Sequence, residues 1–166
     1  MQYRPYVALA TIRPSSSEGS RSVQTPQARS LVWLRDRGYI CQSVEKNAPF
    51  PDKFSRPCQV CGTVKMIPRK QDLFGFCDIV AFREHMELIQ VTTGANSANR
   101  MGKMMAHPDV APNVLKCLQA GAKVCVHSWR KNVKNRWELT IRPITEEMIS
   151  IETRALVATE LADSAF

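Results

Sequence analysis

Apolar and polar residues alternate in the middle of the chain in a way that predicts a β-hairpin. One apolar run covers residues 79–82, a short polar segment follows, and a second run covers residues 86–92. Two runs of this length around a polar turn are typical of paired antiparallel strands. Asp78 opens the first strand, and Gln90 lies near the end of the second. If these two side chains project to the same face, their oxygens can hold a divalent cation.

Helices are predicted on both sides of this hairpin. Thr25 can cap a helix whose first position is Pro26, and a strand over residues 39–44 follows this helix. After the hairpin, apolar spacing predicts two helices, two strands and a final helix capped by Thr145. The two helices are predicted over residues 96–106 and 112–120, and the two strands over residues 123–129 and 136–144. A chain of 166 residues with this order of elements fits one mixed α/β domain.

Two segments lie outside this pattern. Residues 1–24 include a polar, serine-rich run and are predicted to form an N-terminal arm, so that residues 25–166 make a single domain. Residues at about 46–69 are predicted to form an insertion in that domain. The sequence shows no secretory signal and no apolar run long enough to cross a membrane, and its six scattered cysteines are typical of reduced thiols. It therefore predicts a cytoplasmic protein that makes no membrane contact.

The insertion contains Cys58-Gln-Val-Cys61-Gly. Two thiolates at this spacing are half of a tetrahedral Zn²⁺ site. Cys41, His85 or a second copy of the chain could complete that site. The alternative is a hairpin with two reduced thiols or a disulfide.

Basic residues are concentrated in the second half of the chain. The net charge of the whole chain is +8, and residues 100–136 hold eight basic residues against one acidic residue. This distribution predicts a polyanionic partner, with contacts that are mainly to the phosphate backbone if that partner is DNA. The predicted contacts come from a helix start and a basic turn, namely Asn96, Arg100, Lys103, Arg130, Lys131 and Lys134. For the two cations on the helix, the alternative is an ordinary solvated face.

The last helix has the opposite charge. From residue 145 onward the chain holds five acidic residues and one arginine, so this end is not expected to contact nucleic acid. Its apolar residues permit a homodimer, or they close the core of a monomer.

Two short motifs bracket the strands of the predicted hairpin. Asp72-Leu-Phe-Gly-Phe-Cys-Asp78 precedes the first strand, and Gln90-Val-Thr-Thr-Gly94 ends the second. Together they resemble the PD-(D/E)xK nuclease superfamily, in particular its small stand-alone phage and bacterial members, over about residues 26–144. The resemblance implies a restriction-endonuclease-like αβββαβ core, with helices flanking a mixed central sheet. It also implies a Mg²⁺- or Mn²⁺-dependent DNA endonuclease in phage or bacterial DNA processing, repair or recombination.

By this resemblance Asp78 is the metal-binding aspartate, and Gln90 stands where an acidic residue usually stands. Val91 would add its backbone carbonyl as a further ligand. Because Gln90 is neutral, the site loses one negative charge, and another acid is needed to keep its affinity for a cation. Asp72 lies just ahead of the strand and is the candidate for that ligand.

The lysine of the superfamily motif is also missing. Thr92 occupies its position and cannot supply the cation that steadies the attacking water or the departing charge. Lys70 or Arg69 could replace it from the preceding strand or loop. Since both departures remove charges that the chemistry uses, one alternative is a nuclease-fold protein that binds DNA without cutting it. Another is a zinc-containing regulator in which Cys58 and Cys61 are the functional residues.

Overall fold

The computed structural model of this protein describes residues 25–51 and 56–163, without the side chains of Arg69 and of residues 161–163. The predicted N-terminal arm, residues 1–24, lies outside the described residues. The helices are α1 (Pro26–Arg35), α2 (Ser97–Ala106), α3 (Ala111–Gln119) and α4 (Ile151–Asp163). The strands are β1 (Ile40–Ser43), β2 (Lys46–Pro51), β3 (Met66–Gln71), β4 (Ile79–Phe82), β5 (Met86–Thr93), β6 (Lys123–Lys131) and β7 (Trp137–Ile144). Two 3₁₀ turns, Gly94–Asn96 and Glu146–Met148, precede α2 and α4.

Five strands form a mixed sheet in the order β1-β4-β5-β6-β7, and β2 pairs with β3 in a separate hairpin. β5 and β6 are parallel, whereas the other neighbours in the large sheet are antiparallel. A parallel pair needs a crossover connection, which α2 and α3 supply. The predicted fold class, an α/β domain whose mixed sheet is flanked by helices, is confirmed. The chain follows the αβββαβ order through α1, β1, β4, β5, the α2–α3 crossover and β6.

Alternate residues of the strands divide the core between the two faces of the sheet. On β5, Leu88 belongs to a buried cluster with Val114 and Leu115 of α3. The next residue, Ile89, belongs to a second cluster with Leu34 of α1. Because side chains alternate along a strand, α3 covers one face of the sheet and α1 covers the other.

A buried hydroxyl fixes α1 to the sheet. The helix begins as predicted, with Thr25 Oγ1 accepting a hydrogen bond from the Ala28 amide at 3.2 Å. Ser30 Oγ accepts a hydrogen bond from Trp129 Nε1 at 2.9 Å and lies 3.2 Å from His127 Nδ1. Both partners are buried on β6, and burial lowers the pKa of His127 to about 3. The imidazole is therefore neutral at neutral pH and is part of the packing.

Ser30→Ala is expected to lower the free energy of unfolding by about 1–3 kcal/mol, because the Trp129 indole N–H is left buried without this acceptor. Denaturant unfolding followed by tryptophan fluorescence measures the change. Thr159→Ala is the control, since its exposed hydroxyl bonds only to the backbone of its own helix. If Ser30→Ala unfolds at the same denaturant concentration as wild type, this contact does not hold α1 in place.

One helix start differs from the sequence prediction. The prediction that Thr145 caps α4 is wrong, because Thr145 precedes the 3₁₀ turn Glu146–Met148 and makes no capping bond. α4 starts after Ser150, whose Oγ accepts a hydrogen bond from the Thr153 amide at 3.2 Å. α2 begins without a side-chain cap, since the 3₁₀ turn Gly94–Asn96 continues directly into it. Before α4, a 3₁₀ turn follows the residue that was predicted to cap the helix.

α4 packs against α3. Val157 is fully buried in the core, and Lys116 Nζ of α3 lies 2.7 Å from Glu160 Oε2. The helix therefore closes the core of the single chain, which is one of the two roles that its apolar residues permitted. Within the described ranges, no helix has both the length and the hydropathy that a membrane span requires.

Candidate metal centre and basic face

Asp78 lies just before β4, between two neighbouring strands. Its carbonyl accepts a hydrogen bond from the Val44 amide at 2.9 Å, and its amide donates to the Ile89 carbonyl at 3.0 Å. This register places Gln90 beside Asp78, and both side chains are buried. Gln90 Nε2 donates a hydrogen bond to Asp78 Oδ2, and the Val91 amide donates to the same oxygen at 2.7 Å. The structure thus brings together the two side chains that the hairpin pattern paired.

The orientation of Gln90 makes it a support for Asp78. Its amide nitrogen faces the carboxylate, and Nε2 also lies 3.3 Å from the Val91 carbonyl oxygen. Both donors from β5 reach Oδ2, so Oδ1 is the oxygen of Asp78 with capacity for a cation. The Val91 carbonyl, predicted as a further ligand, already accepts the bond from Gln90.

A tight reversal of the chain holds Asp72 next to Asp78. The chain turns through Phe74 and Gly75, whose φ values are 56° and 80°. Glycine adopts this left-handed region without the strain that a Cβ imposes. From α2, Lys103 Nζ donates a hydrogen bond to the Gly75 carbonyl at 3.0 Å. Lys103, predicted to bind phosphate, therefore fixes the turn that carries the acids.

The β2–β3 hairpin contributes the third carboxylate. Lys46 pairs with Gln71 at its base, so the residues just outside this pair, Glu45 and Asp72, emerge side by side. Carboxylate oxygens of Glu45, Asp72 and Asp78 all lie within 4.8 Å of one another. In the described part of the chain, no other cluster of three or more His, Cys, Asp or Glu side chains has this geometry. We refer to these three residues as the acid cluster.

Asp72 was predicted at this site, whereas Glu45 was missed. The signal that could have found it is that residues 45 and 72 bracket the insertion, and a hairpin there must bring its two ends together.

The acid cluster favours the neutral form of its central carboxyl group. Burial raises the pKa of Asp78 to about 7, and the charges of Asp72 and Glu45 add to the rise. The Val91 amide and the charge of Arg100 oppose it. A bound divalent cation would reverse this balance, because it neutralises carboxylates that otherwise repel one another. Three oxygen donors suit Mg²⁺ or Mn²⁺.

Lys70 is the basic side chain that meets the acid cluster. Its Nζ lies 2.9 Å from Glu45 Oε1 and 3.0 Å from Oε2, and this hydrogen bond raises the pKa of Lys70. Thr92 is buried on the same face of β5 as Gln90 and brings no charge. The side chain of Arg69 lies outside the described atoms. Lys70, one of the two candidates to replace the missing lysine, thus lies at the acid cluster.

α1 reaches the site through Gln27. Its Nε2 donates a hydrogen bond to Ser43 Oγ at 3.0 Å and lies 3.5 Å from the Asp78 carbonyl oxygen. Sequence reasoning missed this residue, because an uncharged side chain in the first turn of a helix gives no electrostatic signal.

A groove runs along α2, whose Lys103 contacts the turn between Asp72 and Asp78. Its lining includes Asn96, Asn99, Arg100, Lys103 and His107. The charge of Arg100 lowers the pKa of Asp78, so a residue of this groove acts electrostatically on the acid cluster. Three of the six predicted DNA-contacting residues thus share one groove.

A second groove opens where β5 and β6 end. Its lining includes Thr93, Gly94, Arg130, Lys131, Trp137 and Arg142. A Cβ on Gly94 would lie 3.0 Å from Arg130 Cβ, so a side chain at this position would press against Arg130. Lys134 lies instead in the exposed β6–β7 turn. The 3₁₀ turn before α2 joins the two grooves, and we refer to them together as the basic face.

Cys58 and Cys61 lie in a turn at the tip of the β2–β3 hairpin, and both are exposed. The Cys58 amide donates to the Thr63 carbonyl at 2.9 Å, and Cys61 Sγ lies 2.9 Å from Thr63 Oγ1. Hydrogen bonding to Thr63 lowers the pKa of Cys61 to about 7. Neither Cys41 nor His85, the partners that the sequence suggested, joins the two thiols in a group of metal ligands among the described residues.

Comparisons with known proteins assign no family to this chain. No protein-family profile, no curated protein and no solved structure matches it. The superfamily resemblance of the two motifs therefore stays a prediction.

Proposed function

We propose that this protein is a deoxyribonuclease that hydrolyses phosphodiester bonds in DNA with a bound Mg²⁺ or Mn²⁺. One observation carries the proposal: the oxygens of the acid cluster lie within 4.8 Å of one another, beside the ammonium of Lys70. Carboxylate oxygens are the ligands that hard divalent cations prefer. Without a cation, the crowded carboxylates repel one another, so a purely structural role explains them poorly.

The residues of the site take distinct parts in this proposal. The acid cluster would hold the cation, and Asp78 would offer its Oδ1, since Oδ2 already accepts two hydrogen bonds. When bound, the cation polarises the scissile phosphate and makes a coordinated water nucleophilic. Lys70 lies at the edge of the cluster, where its ammonium can steady charge that develops on the phosphate. Gln90 and Gln27 hold Asp78 in place through their amides.

The basic face supplies the contacts with the DNA backbone. The charge of Arg100 acts on Asp78 from the first groove, and Arg130, Lys131 and Arg142 line the second groove. Contacts of this kind go to phosphates, which carry no sequence information. We therefore expect a preference for DNA structure over sequence and binding that weakens steeply with salt. Such an activity would serve phage or bacterial DNA processing, repair or recombination.

A second candidate function is DNA binding without cleavage. It is favoured by the neutral Gln90, whose nitrogen faces Asp78, and by the buried, uncharged Thr92 in the usual lysine position. In that case the basic face would bind DNA, while the acid cluster would hold its cation too weakly for hydrolysis.

Cleavage assays distinguish the two functions. Wild type is incubated at low salt with labelled single-stranded, duplex and branched DNA, in Mg²⁺, Mn²⁺ or EDTA. We expect cutting only with a metal, and Asp72→Asn should cut at least about tenfold more slowly because the cation loses a ligand. Asp36→Asn, which changes an exposed acid after α1, is the matched control. Binding of these substrates with no cutting in any metal would contradict the nuclease proposal and support the second candidate.

A further inference from the structure

The tip of the β2–β3 hairpin presents two thiols to solvent. Hydrogen bonds from the Cys58 amide to the Thr63 carbonyl (2.9 Å) and from the Gly62 amide to the Cys58 carbonyl (2.8 Å) close the turn. Gly62 has a φ of 68°, which a glycine adopts without strain. Val60, between the two cysteines, is 96% exposed. The turn therefore holds Cys58 and Cys61 together on a surface with no core of its own.

Two thiolates separated by two residues and followed by glycine suit Zn²⁺, but a structural zinc site has four ligands. The rest of the chain does not offer the missing pair. Cys77, Cys125 and His127 are buried in the core. The remaining cysteines and histidines of the described chain form no group of three with the thiols of the turn. Residues 1–24, 52–55 and 164–166 contain neither cysteine nor histidine.

We propose that the hairpin tips of two copies of this chain share one Zn²⁺ through Cys58 and Cys61 of each, which makes a zinc-dependent homodimer. Two identical pairs of cysteines supply the four sulfur ligands. A two-fold axis through the metal relates the pairs, so the dimer needs no other complementary surface between the copies. Four thiolates leave such a centre with a net negative charge. The segment 56–65 carries only basic charged residues, Arg56 and Lys65, which offset that charge. The exposed Val60 of each copy would be covered by the contact.

This arrangement would place the two acid clusters at opposite ends of the dimer. Each cluster lies at the base of a hairpin whose six paired positions extend about 20 Å, and the shared zinc would lie beyond the far end of each hairpin. The dimer would thus join two sites that each act on their own DNA segment.

The test measures mass and zinc content on the full chain under reducing conditions. Light scattering with chromatography gives the oligomeric state, and elemental analysis gives the metal content. We expect a dimer with one zinc per two chains, which EDTA converts to a monomer and added Zn²⁺ restores. Co²⁺ in place of zinc should give the absorption of a tetrahedral thiolate site. Cys58→Ser and Cys61→Ser should each stay monomeric without bound zinc.

Two controls separate this proposal from effects on folding and from the proposed nuclease. Cys117→Ser changes a thiol outside the hairpin and should dimerise like wild type, and circular dichroism should show all the variants folded. Asp78→Asn removes a carboxylate of the acid cluster and should also dimerise with zinc. One zinc per monomer, no bound zinc, or a dimer that survives EDTA would each overturn the proposal.

Discussion

Asp78→Asn is expected to abolish metal-dependent cleavage while making the metal-free protein more stable. Loss of the central ligand should slow cleavage by about 10³-fold or more, which corresponds to about 4 kcal/mol of transition-state stabilisation. The gain in stability follows from the burial of the Asp78 carboxylate and from the crowding of three carboxylates within 4.8 Å. The asparagine oxygen can still accept the hydrogen bonds from Gln90 and Val91, while the negative charge of the Asp78 carboxylate is removed.

The gain in stability should depend on pH in a definite direction. In the folded protein the pKa of Asp78 is raised from 3.8 to about 7, so the folded chain holds a proton that the unfolded chain has released. The free energy of unfolding of wild type therefore falls as the pH rises from about 4 to about 7. Above that range the whole cost of ionising the buried Asp78 carboxyl is present. The variant has no such proton. It should exceed wild type by about 1–3 kcal/mol near pH 8 and match it near pH 4.

Thermal and denaturant unfolding in EDTA across this pH range measures the difference. Asp36→Asn serves as the control, because its side chain is exposed. Added Mn²⁺ should raise the unfolding temperature of wild type and leave that of Asp78→Asn unchanged. If Asp78→Asn were the less stable protein near pH 8, the ionised carboxylate would have to contribute more through its hydrogen bonds than it costs through burial and repulsion.

Gln90→Glu is expected to change stability in opposite directions with and without a metal. The substitution replaces a donor that faces Asp78 Oδ2 with a fourth carboxylate. In EDTA at about pH 8 this loss and the added repulsion should lower the free energy of unfolding by about 2–4 kcal/mol. A further anionic ligand should also tighten Mn²⁺ binding by about tenfold or more, so the stabilisation by Mn²⁺ should exceed that of wild type.

Calorimetric titration with Mn²⁺ and unfolding in EDTA measure the two effects of Gln90→Glu. Gln119→Glu introduces the same change at an exposed position of α3 and should leave both quantities near wild type. Unchanged stability in EDTA together with unchanged metal affinity would show that residue 90 does not face the acid cluster.

The central hairpin was accessible from the sequence because its pattern is local. Apolar residues on both sides of a three-residue polar turn defined β4 and β5 to within one residue. The pairing of Asp78 with Gln90 followed from that hairpin and the alternation of a strand. Likewise, Thr25 and Pro26 marked the start of α1, since capping depends on a few adjacent residues.

The rest of the site depends on contacts that no local pattern records. Glu45 joins Asp72 only through the register of β2 and β3, and the prolines at positions 49, 51 and 68 argue against strands there. These strands form a two-stranded hairpin outside the main sheet, where proline is tolerated. The sequence also shows that residue 90 is a glutamine, but it does not show whether the nitrogen or the oxygen of its amide faces Asp78. That orientation is set by the two oxygens that accept hydrogen bonds from its nitrogen, Asp78 Oδ2 and the Val91 carbonyl oxygen.

The hydroxyl of Ser30 has a consequence for the protein during its synthesis. Its partners His127 and Trp129 lie 97 and 99 residues further along the chain, so α1 leaves the ribosome long before β6 exists. Contacts that span such a distance in sequence form late, because the intervening chain must be ordered first. A nascent chain that has reached β5 already carries the complete acid cluster, while the apolar side of α1 has no strand β6 to cover it. Translation that stalls before residue 129 would therefore release a fragment prone to aggregation and proteolysis.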